Sequence, residues 1–591
     1  MLHSSATVDE FEPGDPLAEI SRKLANVSIK NNLRLGEDGT VSSNLLPVIK
    51  DCLRTREPNH PDTYEAVRLL RKYLTQTGSS NVNVQDILDL GVLEELKHLL
   101  TLDELNEIQF ECTWIITNIA AGESRHTHTL VQADFIPVLI ERLESPNCGS
   151  CVKAQAAWAL SNIAGDSAEF RQLLMQKGAL IAIAQVLNQL FDSAIEAEPH
   201  WRTNRQLIDL YEDYEVKTDV KALVWSISNM TRGGFRTADY WESYVPAFEV
   251  LVKCTLFDHR ELWADAAWGL SRIMYNIHKV EAFFSSVNVP NDFGERLVIL
   301  LNSRESVRGP ALRFLVNLTS GPDEHSYALV DRDLIRALAD VMNLEINAPL
   351  RRDAILTVGN LAAITGFFAE QILSDQAILK HLMEHIRVPF YQYVKNEGRW
   401  RQCDWRAADR EEVEEEWKTV CEALWAICNL LEAASNDGVR ILCHQEYHCL
   451  PKHLARLAVY DPASMPVNVI SKLVDAMNDL VDRNSALIGH KRCEYMSDWE
   501  SLQVADAIQQ MMLAYPESKT LLEKGERLLS RLGPTKKEDN NAGTVNVDNV
   551  AALFGFAVHD AIKKPQKRRI LHGLEDGDVR LIENAVGKLS I

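Results

Sequence analysis

The chain has 591 residues, 46% of them apolar and 25% charged, which allows a large core and excludes a chain disordered throughout. A net charge of −22 argues against general binding to nucleic acid phosphates and suits a cationic partner, although solubility of an extended protein accounts for the same excess of acids.

From the N-terminus, Met-Leu-His-Ser-Ser lacks a basic start followed by an apolar stretch, so no signal peptide is evident. Residues 1–60 are mixed polar sequence with Pro13, Pro16, Gly36 and Gly39, and read as a flexible leader. Helical patterning begins near Pro61, and the segment from Tyr64 followed by that from Ile87 makes a first repeat. A tryptophan followed four residues later by asparagine then recurs at Trp114/Asn118, Trp158/Asn162, Trp225/Asn229 and Trp425/Asn429. Trp114 and Trp158 are 44 residues apart, and Trp225 and Trp268 are 43 apart. A helical period in the low forties predicts an all-α armadillo/HEAT-type superhelical solenoid of about nine repeats over 61–532. The pattern continues at Arg313/Asn317 and Leu356/Asn360 without tryptophan. Steps of 67 residues from Trp158 to Trp225 and 69 from Leu356 to Trp425 predict insertions near 192–218 and 388–418. The first carries Glu196, Glu198, Glu212, Asp213 and Glu215; the second carries Trp400, Trp405 and the acidic run Glu411–Glu416. Both are expected to be solvated charged loops at the edge of the solenoid. Residues 533–591 read as a linker and a tail with one dense basic cluster, Lys563, Lys564, Lys567, Arg568 and Arg569.

Eleven cysteines, several inside helix-like apolar runs (Cys112, Cys421, Cys428), fit reduced core residues of an intracellular protein. The most apolar stretch, around Gly178 to Phe191, is too short to span a bilayer. No phosphate-binding glycine loop, Gly-x-Ser-x-Gly elbow or His-Glu-x-x-His pair occurs, so neither enzyme nor cofactor is expected. Cys443-His-Gln-Glu-Tyr-His-Cys449 places His444 and His448 on one helix face, but four convergent zinc ligands are not evident and no metal site is expected.

On a helix, residues four apart lie one above the other, so each pair puts an indole beside a carboxamide. The carboxamide both donates and accepts, as a peptide backbone requires, while gaps between neighbouring indoles suit the aliphatic stem of lysine or arginine. Asp166, four residues past Asn162, is placed to receive the ammonium. The bland alternative, tryptophan as ordinary core, does not explain a repeated amide beside the ring.

The segments Phe110-Glu-Cys-Thr-Trp-Ile-Ile-Thr-Asn, Gln155-Ala-Ala-Trp-Ala-Leu-Ser-Asn and Pro310-Ala-Leu-Arg-Phe-Leu-Val-Asn resemble the armadillo repeats of importin-alpha, the receptor for nuclear localisation signals, over roughly residues 61–500. The resemblance implies a major peptide site at Trp114, Asn118, Gly122, Thr127, Trp158, Asn162, Asp166, Trp225 and Asn229, with Gly122, Thr127 and Asp166 receiving the key lysine. It implies a minor site at Arg313, Asn317, Asn360, Glu422, Trp425 and Asn429, where Leu356 replaces one tryptophan wall. Arg272, four residues past Trp268, departs from the pattern by putting positive charge on the ladder. Family members begin with an arginine-rich segment that binds importin-beta; residues 1–60 hold only scattered basics, so importin-beta is an implied partner without a recognisable docking segment.

The expected protein is a non-enzymatic adaptor that binds Lys/Arg-rich signals in extended form and carries cargo from cytoplasm to nucleus. Its implied partners are cargo, importin-beta and a nuclear export factor, with no nucleic acid and no membrane span. The alternative is an armadillo scaffold holding a non-import partner on the same face. The basic tail at 563–569 is a candidate to occupy that face as an autoinhibitor.

Overall fold

Short apolar runs separated by single turn residues fold into sets of two short helices and one long one in the computed structural model. It describes residues 40–532 apart from 77–79, 104, 198–213, 234–239, 257–259, 278–279, 322, 395–398, 403–409, 444–448, 462–464 and 489–494. The pattern is plain where Ser124–Gln132, Phe135–Glu144 and Ser150–Asp166 follow one another. Between the two short helices the chain turns through the left-handed region at Asp134 (φ 58°), and Gly91 (φ 68°) and Gly178 (φ 79°) make the same turn in neighbouring repeats. Glycine enters this region without a Cβ clash, and aspartate tolerates it. Ser167 then serves two helices: its extended backbone ends Ser150–Asp166, and its Oγ accepts from the Phe170 N–H (3.1 Å) to cap Ala168–Gln176.

The chain divides at Leu334/Ile335 into two compact units. In the first, the long helices Pro61–Thr75, Asn106–Ala120, Ser150–Asp166, Tyr214–Met230, Arg260–Asn276 and Glu305–Thr319 pack each against the next. In the second, Ala348–Ile364, Arg410–Ala433, Val467–Ile488 and Lys519–Leu532 do likewise. Apolar residues line both packed sides of these helices. In Ser150–Asp166, for example, Val152, Ala156, Ala159, Leu160 and Ile163 are fully buried, and the alanines allow close approach of the neighbouring helices.

Three expectations need correction. The leader does not run to residue 60: Leu46–Thr55 is a helix that buries Leu46, Ile49, Cys52 and Leu53 and packs on Pro61–Thr75. Helices enter the first insertion from both sides, Ala179–Ala197 and Tyr214–Met230, leaving 198–213 outside the described residues. The second insertion holds a two-stranded antiparallel hairpin, Tyr391–Val394 with Arg399–Gln402, so the all-α fold carries one small β element.

Its acidic run is no loop either. Glu411–Glu416 forms the first turns of Arg410–Ala433, where carboxylates at a helix N-terminus are favoured by the dipole. Arg352 Nη1 donates to Glu415 (2.9 Å), Lys418 Nζ donates to the same carboxylate (2.6 Å), and Arg351 forms a buried ion pair with Glu416. These acids clamp two successive long helices together. The basic cluster at 563–569 and the histidines of the Cys443–Cys449 segment lie outside the described residues. Among the described residues no helix is long and apolar enough to cross a membrane.

Candidate peptide-binding site

Burial on two sides leaves each long helix one stripe for polar and aromatic residues. On Ser150–Asp166 that stripe is Trp158, Asn162 and Asp166, at i, i+4 and i+8. Trp158 is 38% exposed. Trp114, Trp225 and Trp425 are half-buried on the corresponding stripes, whereas Trp263, Trp417 and Trp499, which stand off the ladder, are buried in the core. The ladder indoles are therefore not core residues, and every major-site residue lies in the first unit.

The carboxamides also have a structural task. Asn162 Nδ2 donates to the Thr117 carbonyl (3.1 Å), Asn229 Nδ2 to Ser161 (3.0 Å), Asn317 Nδ2 to Ser271 (3.0 Å) and Asn429 Nδ2 to Gly359 (3.0 Å). In each case the acceptor is the residue just before the ladder position of the preceding repeat. Asn118 Nδ2 instead donates to Trp114 within its own helix (2.9 Å). Since a carbonyl can only accept, one N–H of the NH2 is committed to the fold and the orientation of the amide is fixed. The half-buried Asn118, Asn162, Asn317 and Asn429 thus hold a fixed carboxamide, with the oxygen and the second N–H of the NH2 left beyond that bond.

The same bond explains Arg272. Its Nη1 donates to the Ser228 carbonyl (2.6 Å) and to Ser228 Oγ (3.0 Å), and Ser228 immediately precedes Asn229. Arginine here makes the inter-repeat contact that asparagine makes elsewhere, and its guanidinium lies over the Trp268 ring at 5.3 Å.

The indoles depart from the expected row of slots. Trp158 and Trp225 meet edge to face with centroids 5.9 Å apart and planes at 67°, so no gap for a lysine stem separates them; a stem is offered the exposed side of Trp158 instead. Trp114 packs edge-on against Phe110 (5.4 Å) and carries the Arg71 guanidinium over its ring at 4.5 Å. Arg71, which sequence reasoning missed, is held there by a buried ion pair with Glu111.

At the expected lysine-receiving end, Asp166 is the last residue of its helix, and Gly122 follows the end of Asn106–Ala120. Helix C-termini favour cations, so the carboxylate and the helix ends act together. Ser124 Oγ donates to Asp166 Oδ2 (3.0 Å) and orients it. Gly122 is closely confined, since a Cβ there would stand 2.6 Å from His126 Nδ1, which accepts from the Glu123 N–H (3.1 Å). Burial, then Arg125, lowers the His126 pKa below its ordinary value, which keeps positive charge away from this end. Thr127 is fully buried, and its hydroxyl donates to the Ala120 carbonyl (3.3 Å), which leaves only its oxygen lone pairs to receive a cation.

The residues assigned to the minor site fall in both units. Arg313 and Asn317 are half-buried in the first; Asn360, Glu422, Trp425 and Asn429 are half-buried in the second, as is Leu356. Trp425 leans on the preceding helix where a Cβ on Gly359 would come within 2.6 Å of its ring. Burial raises the Glu422 carboxyl above its ordinary value, opposed by Arg352 and Lys472.

Helix triplets packed through their long members, with a half-exposed Trp/Asn stripe, define an armadillo-repeat protein, and an Armadillo/beta-catenin-like repeat model matches residues 80–121. In sequence the chain is similar to importin alpha subunits. It is 27% identical to importin subunit alpha-1b of Oryza sativa subsp. japonica over 50% of this chain and 49% of that protein, and 29% identical to importin subunit alpha-3 of Arabidopsis thaliana over 49% and 48%. It is 30% identical to the probable importin subunit alpha-A of Dictyostelium discoideum over 40% of each. The chain thus spans about half the length of the curated relatives it matches. An engineered protein of known crystal structure shares the fold with a TM-score of 0.60 at 19% identity, covering 83% of this chain and 99% of that one.

Proposed function

We propose that this is a non-enzymatic import adaptor that binds Lys/Arg-rich nuclear localisation signals along the Trp/Asn stripe of its first unit and carries the attached cargo into the nucleus, working in cytoplasm and nucleus. The observation that carries the reading is the exposure of Trp158 beside oriented carboxamides and Asp166, while Trp263, Trp417 and Trp499, off the ladder, are core. Carboxamide oxygens accept from the N–H groups of an extended peptide, the Trp158 face takes an aliphatic stem with its cation, and Asp166 at its helix end takes an ammonium. The similarity to importin alpha subunits supports the cargo class. Titration with a lysine-rich signal peptide at low and high salt tests the reading: affinity should fall as salt rises, because the contacts are charge-based and surface-exposed. Salt-independent binding, or equal affinity for an acidic peptide, would point to a scaffold instead.

A further inference from the structure

We infer that Arg71 and Arg272 are built-in caps that close the indoles at the two ends of this ladder to ligand cations, so that strong lysine or arginine recognition is confined to the rungs at Trp158 and Trp225. The inference rests on the proposed binding of basic signals and specifies how long a signal the first unit reads. Arg71 lies 4.5 Å from the Trp114 centroid and Arg272 lies 5.3 Å from that of Trp268, both within the roughly 6 Å over which a cation is attracted to an aromatic face. Each guanidinium therefore lies within cation–π range of its ring and competes with a ligand cation for the attraction of that ring.

Neither cap is loose. The buried Glu111 carboxylate anchors Arg71, and two hydrogen bonds to Ser228 anchor Arg272. The position of Arg272 is informative, because an asparagine would make the same bond to the preceding repeat without covering the ring. Arginine preserves the inter-repeat contact and changes only what the face accepts. Among the described residues no cation lies over Trp158 or Trp225, whose rings contact each other. Neighbouring helices pack about 8–10 Å apart and an extended chain rises about 3.3 Å per residue, so two open rungs read a basic core of roughly four to six residues.

The test uses the full chain and two peptides: a short one with a single lysine cluster, and a longer one in which the same cluster is flanked on both sides by further lysines spaced with serine. Arg272→Asn restores an asparagine rung, and Arg71→Gln with Glu111→Gln removes the other cap without stranding a buried charge. The readout is the ratio of long- to short-peptide affinity; Arg71→Gln with Glu111→Gln leaves the net charge unchanged, and Arg272→Asn is read against Arg54→Gln, which removes one positive charge off the ladder and should leave the ratio closer to wild type. Each cap variant should raise that ratio by about two- to five-fold. An unchanged ratio in both variants, each with wild-type helicity and melting, overturns the caps while leaving the signal-binding reading standing. Failure of the wild-type chain to bind the short peptide overturns that reading and the caps together.

Discussion

Replacing Trp158 by alanine separates ligand binding from packing, because the ring is 38% exposed and its recorded aromatic contact is the edge-on one with Trp225. A lysine stem lying across the exposed side covers two or three methylenes at about 0.8 kcal/mol each. Its ammonium adds about 0.5–1 kcal/mol at a surface site. The loss on Trp158→Ala is then about 2–3 kcal/mol, or roughly 30- to 140-fold in affinity for a lysine-rich peptide. The cost to the fold is smaller: the ring pair contributes about 0.5–1.5 kcal/mol, partly offset by about 0.5 kcal/mol of better helix propensity in alanine. Fluorescence anisotropy at physiological salt with a urea melt on the same samples measures both numbers. Trp158→Ala with Trp225→Ala should abolish binding with helix content intact. Wild-type affinity in that double variant, or affinity lost only in proportion to lost helix, would refute the assignment of these rings as ligand walls.

Asn229→Ala removes the bond to the Ser161 carbonyl and should cost about 0.5–1.5 kcal/mol in urea titration. Asn229→Asp should cost more at neutral pH because a carboxylate would face that carbonyl, and equal stability of the two variants would contradict the inter-repeat role. Arg351→Met strands the buried Glu416 carboxylate and should destabilise by about 3–5 kcal/mol, with Glu416→Leu in the same chain recovering most of it; a chemical melt that shows no recovery argues against the clamp. Burial first, and then Asp475, raises Asp479 from 3.8 to about 6. A carboxyl whose folded pKa lies above its unfolded value contributes full relative stability below pH about 4 and loses it as pH rises through about 6, so Asp479→Asn should gain on the order of 2 kcal/mol at pH 8 and little at pH 4. Unfolding free energies of both proteins at the two pH values decide this, and a pH-independent difference would sink it.

The repeat architecture and the ladder were legible because both are local and periodic. Trp114, Trp158 and Trp225 stand four residues before an amide on helices whose other faces are apolar, and helical geometry alone puts such pairs on one stripe. The acidic run at Glu411–Glu416 was misread because charge by itself does not distinguish a solvated loop from a helix start, and the partners that decide it, Arg351 and Arg352, lie more than sixty residues earlier. Thr127 matched a motif position, yet its hydroxyl turns inward to Ala120 because the helix following Gly122 packs it there.

Sequence by itself determined the period, the helical class and which residues share the ladder face, since these follow from spacing and from the i, i+4 geometry of a single helix. Only the tertiary structure decided what each side chain on that face is occupied with: amide N–H groups spent on the preceding repeat, two indoles touching each other, and arginines lying over the indoles of Trp114 and Trp268. The reason is physical. Which donor meets which acceptor, and which cation covers which ring, depends on the approach of helices about forty residues apart in the chain, and no single helix specifies that distance.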